Sequence, residues 1–489
     1  MRADSPVWHP FAQMAEFAAF PPLMIVGGKG GWLFDADGRQ YLDGNASIWT
    51  NVHGHNDPDL NAALLGQLQR TAHSTLLGLK HPPAEQLAHA LTSLAPKGLD
   101  RVFYSDNGAG AVEVALKQSF QFWQLSGRPE KRGVIGMAGG YHGDTFGAMA
   151  AGDSELFHGR FRPWFFPARH FKDREELRSL LQAEAGQTAC VIVEPGVQGA
   201  AGMRLQPAGL VAEIAELCRQ HDVHLILDEV FVGFGRLGEM TVSASEGITP
   251  DFLCLAKGLT AGYLPLAATL TSERIFNAFL GTYSSGKAFY HGHTFTGNPL
   301  ACAVALENIR KLQRMIDDGI LARRAAAFAE ALESTFGHHP NVSALRHRGF
   351  AAALDIAPAV AGGADPGTCD IESRASEIVD RAGISPENTE SNPAGQRFAP
   401  DSRIALQVCL RARAHGLLLR PLGDTLLLVP PLCLDESELR ELVKRTAAAI
   451  DDVLPKISET QGGARGPHAL RRRPLAASLS ASGRCAPPA

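Results

Sequence analysis

Absences narrow the reading before any motif is sought. The 489-residue chain has eight cysteines and no C-x-x-C pair, which removes a disulfide scaffold and the usual thiolate metal clusters. Cys190, Cys254 and Cys409 sit inside apolar runs, where free thiols act as small core hydrophobes. A reducing, cytoplasmic compartment is the expectation. No apolar run approaches a membrane span, and the opening "MRADSPVWHPFAQMAEF" has no continuous apolar leader core. Positive charge is short too. The formal net charge of −5 provides no basic field for nucleic acid or an anionic membrane. What remains is an ordinary composition, 45% hydrophobic and 20% charged, fit for small-molecule chemistry and too long for one simple core.

Three apparent signals are decoys. "GFGRLG" (233–238) fits G-x-G-x-x-G, but "EMTVSASEG" behind it is a poor helix start, and a dinucleotide site needs a helix there. "HGH" occurs at 53–55 and 291–293, each in a glycine-rich turn without further ligands at metal spacing, so no metal site is expected. "GYHGDTFG" (140–147) has no nucleophile matched to a base, and no hydrolase elbow occurs in the chain.

The organisation is an alternation. Across 56–304, short apolar runs ("RVFYSD", "KRGVIGM", "ACVIVEP", "VHLILDEV", "DFLCLAKG", "LPLAATL") are interleaved with helical patterns such as 110–123 and 208–220. That predicts an α/β layer around a mostly parallel sheet. Residues 20–45 read as a small antiparallel unit with glycine turns, 300–335 as helical, and 347–356 and 417–430 as strands of a smaller α+β domain. The expected division is 1–55 and 305–455 as the two parts of the small domain, with 56–304 as the large one. Residues 357–400, rich in Gly, Pro, Asn, Ala and Ser, read as a flexible insertion around a short helix at 370–381. The Arg-bearing tail, 456–489, reads as disordered.

Three apolar runs each end on a polar residue, the place where a parallel sheet carries its site. They are Glu194 after "CVIV", Asp228 after "HLIL" and Lys257 after "FLCLA". Alone, such a lysine reads as a snorkelling surface group and such an aspartate as a turn residue. Together they fit pyridoxal phosphate chemistry. A lysine with a lowered pKa is a Schiff-base nucleophile, and a nearby carboxylate keeps a heteroaromatic nitrogen protonated. "SDNGAGAVEVALK" adds a glycine turn opening a helix, where the N–H groups of Gly108 and Ala109 suit a phosphate. "GGYHGD" adds Tyr141, a ring able to lie against a pyridine. Gly258 and Gly262 read as room for the cofactor.

The order of "DNGAGAVEVALK", "GYHGDTFGAM", "EPGVQGAAGM", "LDEVFVGFGR", "AKGLTAGYLPLAAT", "HGHTFTGNPLACA" and "RPLGDTLLLVPPL" resembles the class III (subgroup II) aminotransferases of fold type I. Within these it is most similar to the 8-amino-7-oxononanoate aminotransferases of biotin synthesis, with "WHPF", "HSTLLG", "GYHGDTFGAM" and "RPLGD" carrying the likeness. The resemblance implies a pyridoxal 5'-phosphate enzyme in which Lys257 carries the cofactor and shuttles the proton. Asp228 would face the pyridine nitrogen, Tyr141 would stack on the ring, and Gly108 and Ala109 would bind the phosphate with Thr294 of a neighbouring subunit. Trp49, Asp144 and Arg420 would bind substrates, Arg420 the oxononanoate carboxylate. A homodimer with shared sites follows from the resemblance alone.

The chain departs from that pattern in places. It has Phe11 where many members have tyrosine, Ile48 before Trp49 where they have paired tryptophans, Ala109 for serine and Val232 for threonine. Losing a hydroxyl and an indole suits a donor smaller than S-adenosylmethionine, so L-lysine is the expected donor. Two other readings stay open at this point: an ω-amino acid or diamine aminotransferase, and a cofactor-binding protein without turnover.

Overall fold

The computed structural model describes residues 5–358, 398–399 and 402–454. The helix expected at 370–381 and the tail beyond 455 lie outside these residues.

The interleaved apolar runs assemble into one seven-stranded sheet. Its order is Arg101–Ser105, Ala267–Thr271, Phe252–Leu255, His224–Asp228, Thr188–Val193, Gly133–Met137, Ala168–Phe171. Every pairing is parallel except those made by Ala267–Thr271, which runs antiparallel to both neighbours. Thr188–Val193, His224–Asp228 and Phe252–Leu255 are buried along their whole length. That is why they read as continuous runs of Val, Ile, Leu and Cys rather than as alternating patterns. Ala168–Phe171, "ARHF", goes beyond the strands expected. It is an edge strand with polar, partly exposed positions, so it carries no apolar signal.

Helices cover the sheet. Gly108–Leu125 buries Ala111, Val112, Ala115, Phe122 and Trp123 against it, and Asn107 caps its start by accepting from the Gly110 N–H at 2.8 Å. The helical stretch 300–335 is two helices, Pro299–Asp317 and Ile320–Phe336, separated at Gly319 with φ +65°.

The flanks form two further sheets. Ile25–Lys29, Trp32–Asp35 and Gln40–Asp43 make the expected antiparallel meander, and Leu417–Leu418 joins it in parallel. Thus segments from the two flanks of the chain meet. The second sheet orders Val342–Arg348, Ala351–Ile356, Thr425–Leu428, Arg420–Leu422. The run 347–356, read as one strand, is broken by a turn at Gly349 with φ +58°. No helix among the described residues is long and apolar enough to cross a membrane.

Candidate active site

The parallel register brings the strand ends together. Val193 pairs with Leu227, and Asp228 pairs with Cys254. Glu194, Asp228 and Lys257 therefore leave three adjacent strands on the same edge, as expected for a sheet whose site lies at its carboxyl end.

Lys257 opens a single tight turn, Lys257–Thr260, with its own backbone at φ +46°. A non-glycine residue there is strained by roughly 1–3 kcal/mol, and such strain gathers at functional positions. Asn308, fully buried on Pro299–Asp317, secures the turn by donating Nδ2 to the carbonyls of Gly258 (2.8 Å) and Leu259 (2.9 Å). Gly258 and Gly262 do not leave open space. A Cβ at the first would sit 2.9 Å from Phe234, and at the second 2.8 Å from the Thr50 hydroxyl, so both glycines serve chain packing.

The Lys257 side chain keeps a window onto the cleft, and among the described residues it has no hydrogen bond or ion pair. Its Nζ lies 4.9 Å from the Trp49 ring centre and 5.6 Å from that of Phe231. Desolvation lowers its pKa, the charges of Asp228 and Glu194 raise it, and the buried Arg236 reinforces the fall.

Trp49 arrives by an unusual route. Ala46, Ser47, Ile48 and Trp49 all have φ between +44° and +68°, a left-handed turn closed by Trp49 N–H to Asn45 O and Thr50 N–H to Ala46 O. L-residues avoid this conformation. Here it sets the indole against Phe231, ring centres 4.6 Å apart, with Nε1 on Asn45.

Asp228 is buried. Its Oδ2 accepts from His142 Nδ1 at 2.8 Å and its Oδ1 from the Val230 N–H at 3.0 Å. His142 carries no signal in the sequence, because its contact of consequence is made across the fold, 86 residues away. Next to it, Tyr141 stacks on His158 with ring centres 5.3 Å apart and gives its hydroxyl to Asp144, 2.9 Å from either oxygen. His158 Nε2 also reaches Asp144, at 3.1 Å, and that bond is the main cause holding the Asp144 carboxyl below its usual range. Phe157 packs edge-on to both Tyr141 and Phe11, 5.8 and 5.5 Å between centres. Arg420 closes this wall. It is half-buried, lies 5.7 Å over the Phe11 ring and has no carboxylate partner among the described residues.

The helix start at Gly108 comes close to the other strand ends. A Cβ at Gly108 would press on Val230, and one at Gly143 would collide with Ala109. The first N–H groups of the helix, on Gly108 and Ala109, take no internal partner, as helix starts require. Thr294 is exposed on the loop that follows His293, and His293 Nδ1 pairs with Asp106 at 3.1 Å. The other triplet histidines also make structural contacts, His53 to the Asn308 carbonyl, His55 to Asp43 and His291 to Lys117. Arg236 of "GFGRLG" is buried and braces Asn51, Phe350 and Pro430 through their carbonyls.

The cleft thus holds an unpartnered amine, a buried carboxylate locked by a histidine, a bare helix N-terminus and an acid-free arginine. Known proteins similar to the chain over most of its length are aminotransferases. A protein from Geobacter sulfurreducens named adenosylmethionine-8-amino-7-oxononanoate aminotransferase is 42% identical over 91% of this chain and 96% of its own length. One of the same name from Aquifex aeolicus is 37% identical over 91% and 95%. The crystal structure of the enzyme of that name from Methanocaldococcus jannaschii superposes with a TM-score of 0.82 at 36% identity, covering 91% of this chain and 97% of the other. An amine transaminase from an uncultivated Pseudomonas species, solved in its PLP-bound form, superposes with a TM-score of 0.78 at 30% identity, covering 93% and 100%. The family model "Aminotransferase class-III" matches residues 14–450, and with relatives this similar along nearly the whole length the chain belongs to the class-III aminotransferases.

Proposed function

We propose that the chain is a pyridoxal 5'-phosphate-dependent transaminase that converts 8-amino-7-oxononanoate to 7,8-diaminononanoate. The observation that carries the choice of substrate is Arg420, a half-buried cation free of acidic partners among the described residues, on the cleft wall of a chain whose relatives bear that substrate's name. A planar guanidinium suits a carboxylate at the end of a flexible chain. An ω-amino acid or diamine transaminase has less support from those names.

The residues fit the cofactor. Lys257 has an amine without a partner, Asp228 has a carboxylate held in place, and the Gly108 and Ala109 N–H groups are free for a phosphate. Bound there, the cofactor supplies an electron sink for carbon–hydrogen cleavage beside nitrogen. The chain supplies the rest. Lys257 Nζ, with its lowered proton affinity, attaches the cofactor and, once released, takes and returns the substrate's proton in both half-reactions. Asp228 would supply the carboxylate for the ring nitrogen. Its geometry is fixed by His142 and the Val230 N–H rather than by solvent. Tyr141 backs the ring site, its hydroxyl committed to Asp144. Arg420 orients the acceptor, and Trp49 and Phe231 keep water from the amine.

Asp144 faces the cleft as an anion and suits a cationic donor, a description that L-lysine and S-adenosylmethionine both meet. The relatives' names favour the latter. Phe11 and Ile48 favour the former: Phe11 offers only ring surface to Phe157 and Arg420. Assay of the purified enzyme with each donor is expected to give turnover with lysine, and strong turnover with S-adenosylmethionine alone reverses the assignment. Arg420→Ala is expected to raise the KM for the keto acid by roughly 10- to 100-fold, the worth of a charge-assisted pair, with a smaller change in kcat. An unchanged KM removes Arg420 from the acceptor site.

A cytoplasmic homodimer completes the reading. The six described cysteines are all free. Tyr290 and Phe295, on either side of Thr294 in the chain, expose 73% and 55% of their surface, which supports a second copy covering this loop and Thr294 reaching the other copy's phosphate. The division into a cofactor-bearing unit over 56–304 and a smaller unit from both ends is supported by the seven-stranded sheet lying wholly between 101 and 271.

A further inference from the structure

Glu194 has no part in the chemistry described above, yet it is 4% exposed and follows the strand that pairs with the Asp228 strand on the side away from Lys257. No lysine or arginine forms an ion pair with it among the described residues. Arg204, whose charge interacts with it, spends its guanidinium on Gln198 and the Ala138 carbonyl. The two Glu194 oxygens accept instead from two backbone N–H groups on different loops: Oε1 from Tyr141 at 3.0 Å and Oε2 from Gly199 at 3.1 Å. Tyr141 carries one wall of the cleft. Gly199 touches the other, since a Cβ there would meet Phe231 at 3.0 Å and Trp49 at 3.2 Å, the two rings that flank Lys257.

We propose that Glu194 is a positioning residue for transamination: one carboxylate ties the Tyr141 wall to the Trp49–Phe231 wall, setting the width of the slot for the cofactor ring, and places a second negative charge beside Asp228 within reach of Lys257. The inference rests on the transaminase reading. A buried carboxylate that accepts two N–H bonds and has no ion-pair partner is a costly way to join two loops. The charge it brings gives that cost a use. Burial and Asp228 push the Glu194 carboxyl up to about 7, against the pull of His142 and the two N–H donors. The titratable and charged groups facing it are His142, Asp228, Lys257 and Arg204, with Tyr141 beside them. The sign is fixed: an ionised Glu194 raises proton affinity at Lys257, and its neutralisation lowers it.

Two variants of the PLP-loaded enzyme separate the parts. Glu194→Gln keeps the shape, loses the charge and turns an amide NH2 toward one of the two N–H groups. Its visible circular dichroism, which reports how the ring is held, is expected to fall at least about twofold, and the pH midpoint of the visible band of Lys257-attached PLP to move down by about half a unit or more. Far-ultraviolet dichroism should be unchanged. Glu194→Asp keeps the charge but is one methylene short, so the dichroism should change while the midpoint stays. A folded Glu194→Gln protein with both signals unchanged overturns the proposal. If that variant does not fold, unchanged dichroism in Glu194→Asp overturns it. A wild-type protein that shows no visible band with added PLP sinks the transaminase reading itself, a different failure from either of these.

Discussion

Lys257→Ala is expected to remove transamination, lowering kcat by at least about 10⁴-fold, because the nucleophile that attaches the cofactor and the base that moves the proton are one nitrogen. The protein should remain folded. The lysine side chain makes no hydrogen bond among the described residues, and Asn308 grips the turn through the carbonyls of Gly258 and Leu259, not through residue 257. Alanine inherits the positive φ at no new cost. The attraction of Nζ to the faces of Trp49 and Phe231 disappears, but so does the cost of desolvating an amine. Melting temperature should therefore move by only a few degrees, while the protein loses covalent PLP, measured as cofactor that dialyses away and a visible band at the free-aldehyde position. Lys257→Arg sharpens the result. It restores the cation and its place over Trp49 but not the chemistry, since a guanidinium stays protonated and does not condense with an aldehyde. Turnover in either variant above background moves the nucleophile elsewhere.

How far this was legible in the chain depends on where each signal is stored. The strands of the central sheet announce themselves as short apolar runs, so six of its seven, with Glu194, Asp228 and Lys257 at the ends of three, could be read directly. The pairing of Val193 with Leu227, which sets Glu194 beside Asp228, is a register and leaves no local trace. Ala168–Phe171 is an edge strand and therefore too polar to notice. The left-handed turn at 46–49 has no glycine to mark it. It exists because the tertiary contact of Trp49 with Phe231, helped by the local bond to Asn45, overrules backbone preference. His142, Asn308 and Phe231 are silent in the sequence for the same reason, each acting on a partner far along the chain. Conversely, Gly258 and Gly262 stand out in the sequence, but room for a cofactor is not their cause. The neighbours that forbid a Cβ are Phe234 and Thr50, invisible until the chain is folded.

Asp228→Asn is the second large effect. The substitution is close to isosteric, and an asparagine oxygen can still accept from His142 or from the Val230 N–H, so the fold should hold. What disappears is negative charge in a buried place. Removing one member of a buried charge pair costs about 3–5 kcal/mol, which corresponds to roughly 10²- to 10⁴-fold in kcat/KM if Asp228 faces the cofactor's ring nitrogen. His142 makes the outcome informative. Its Nδ1 donates to Asp228, while Nε2 is buried without a protein partner, so the ring is committed to the tautomer that serves the carboxylate. In Asp228→Asn, Nδ1–H must compete with the Val230 N–H for a single oxygen, and the amide is forced to point its NH2 at one of them. His142→Phe in the wild-type background should therefore cost less than Asp228→Asn, because the charge survives and only its orientation loosens. Combining the two should cost less than their sum, because the histidine acts through the carboxylate. Additive losses would mean that His142 acts on substrate or cofactor independently of Asp228. A loss below about tenfold for Asp228→Asn alone would mean that this carboxylate does not face the ring nitrogen.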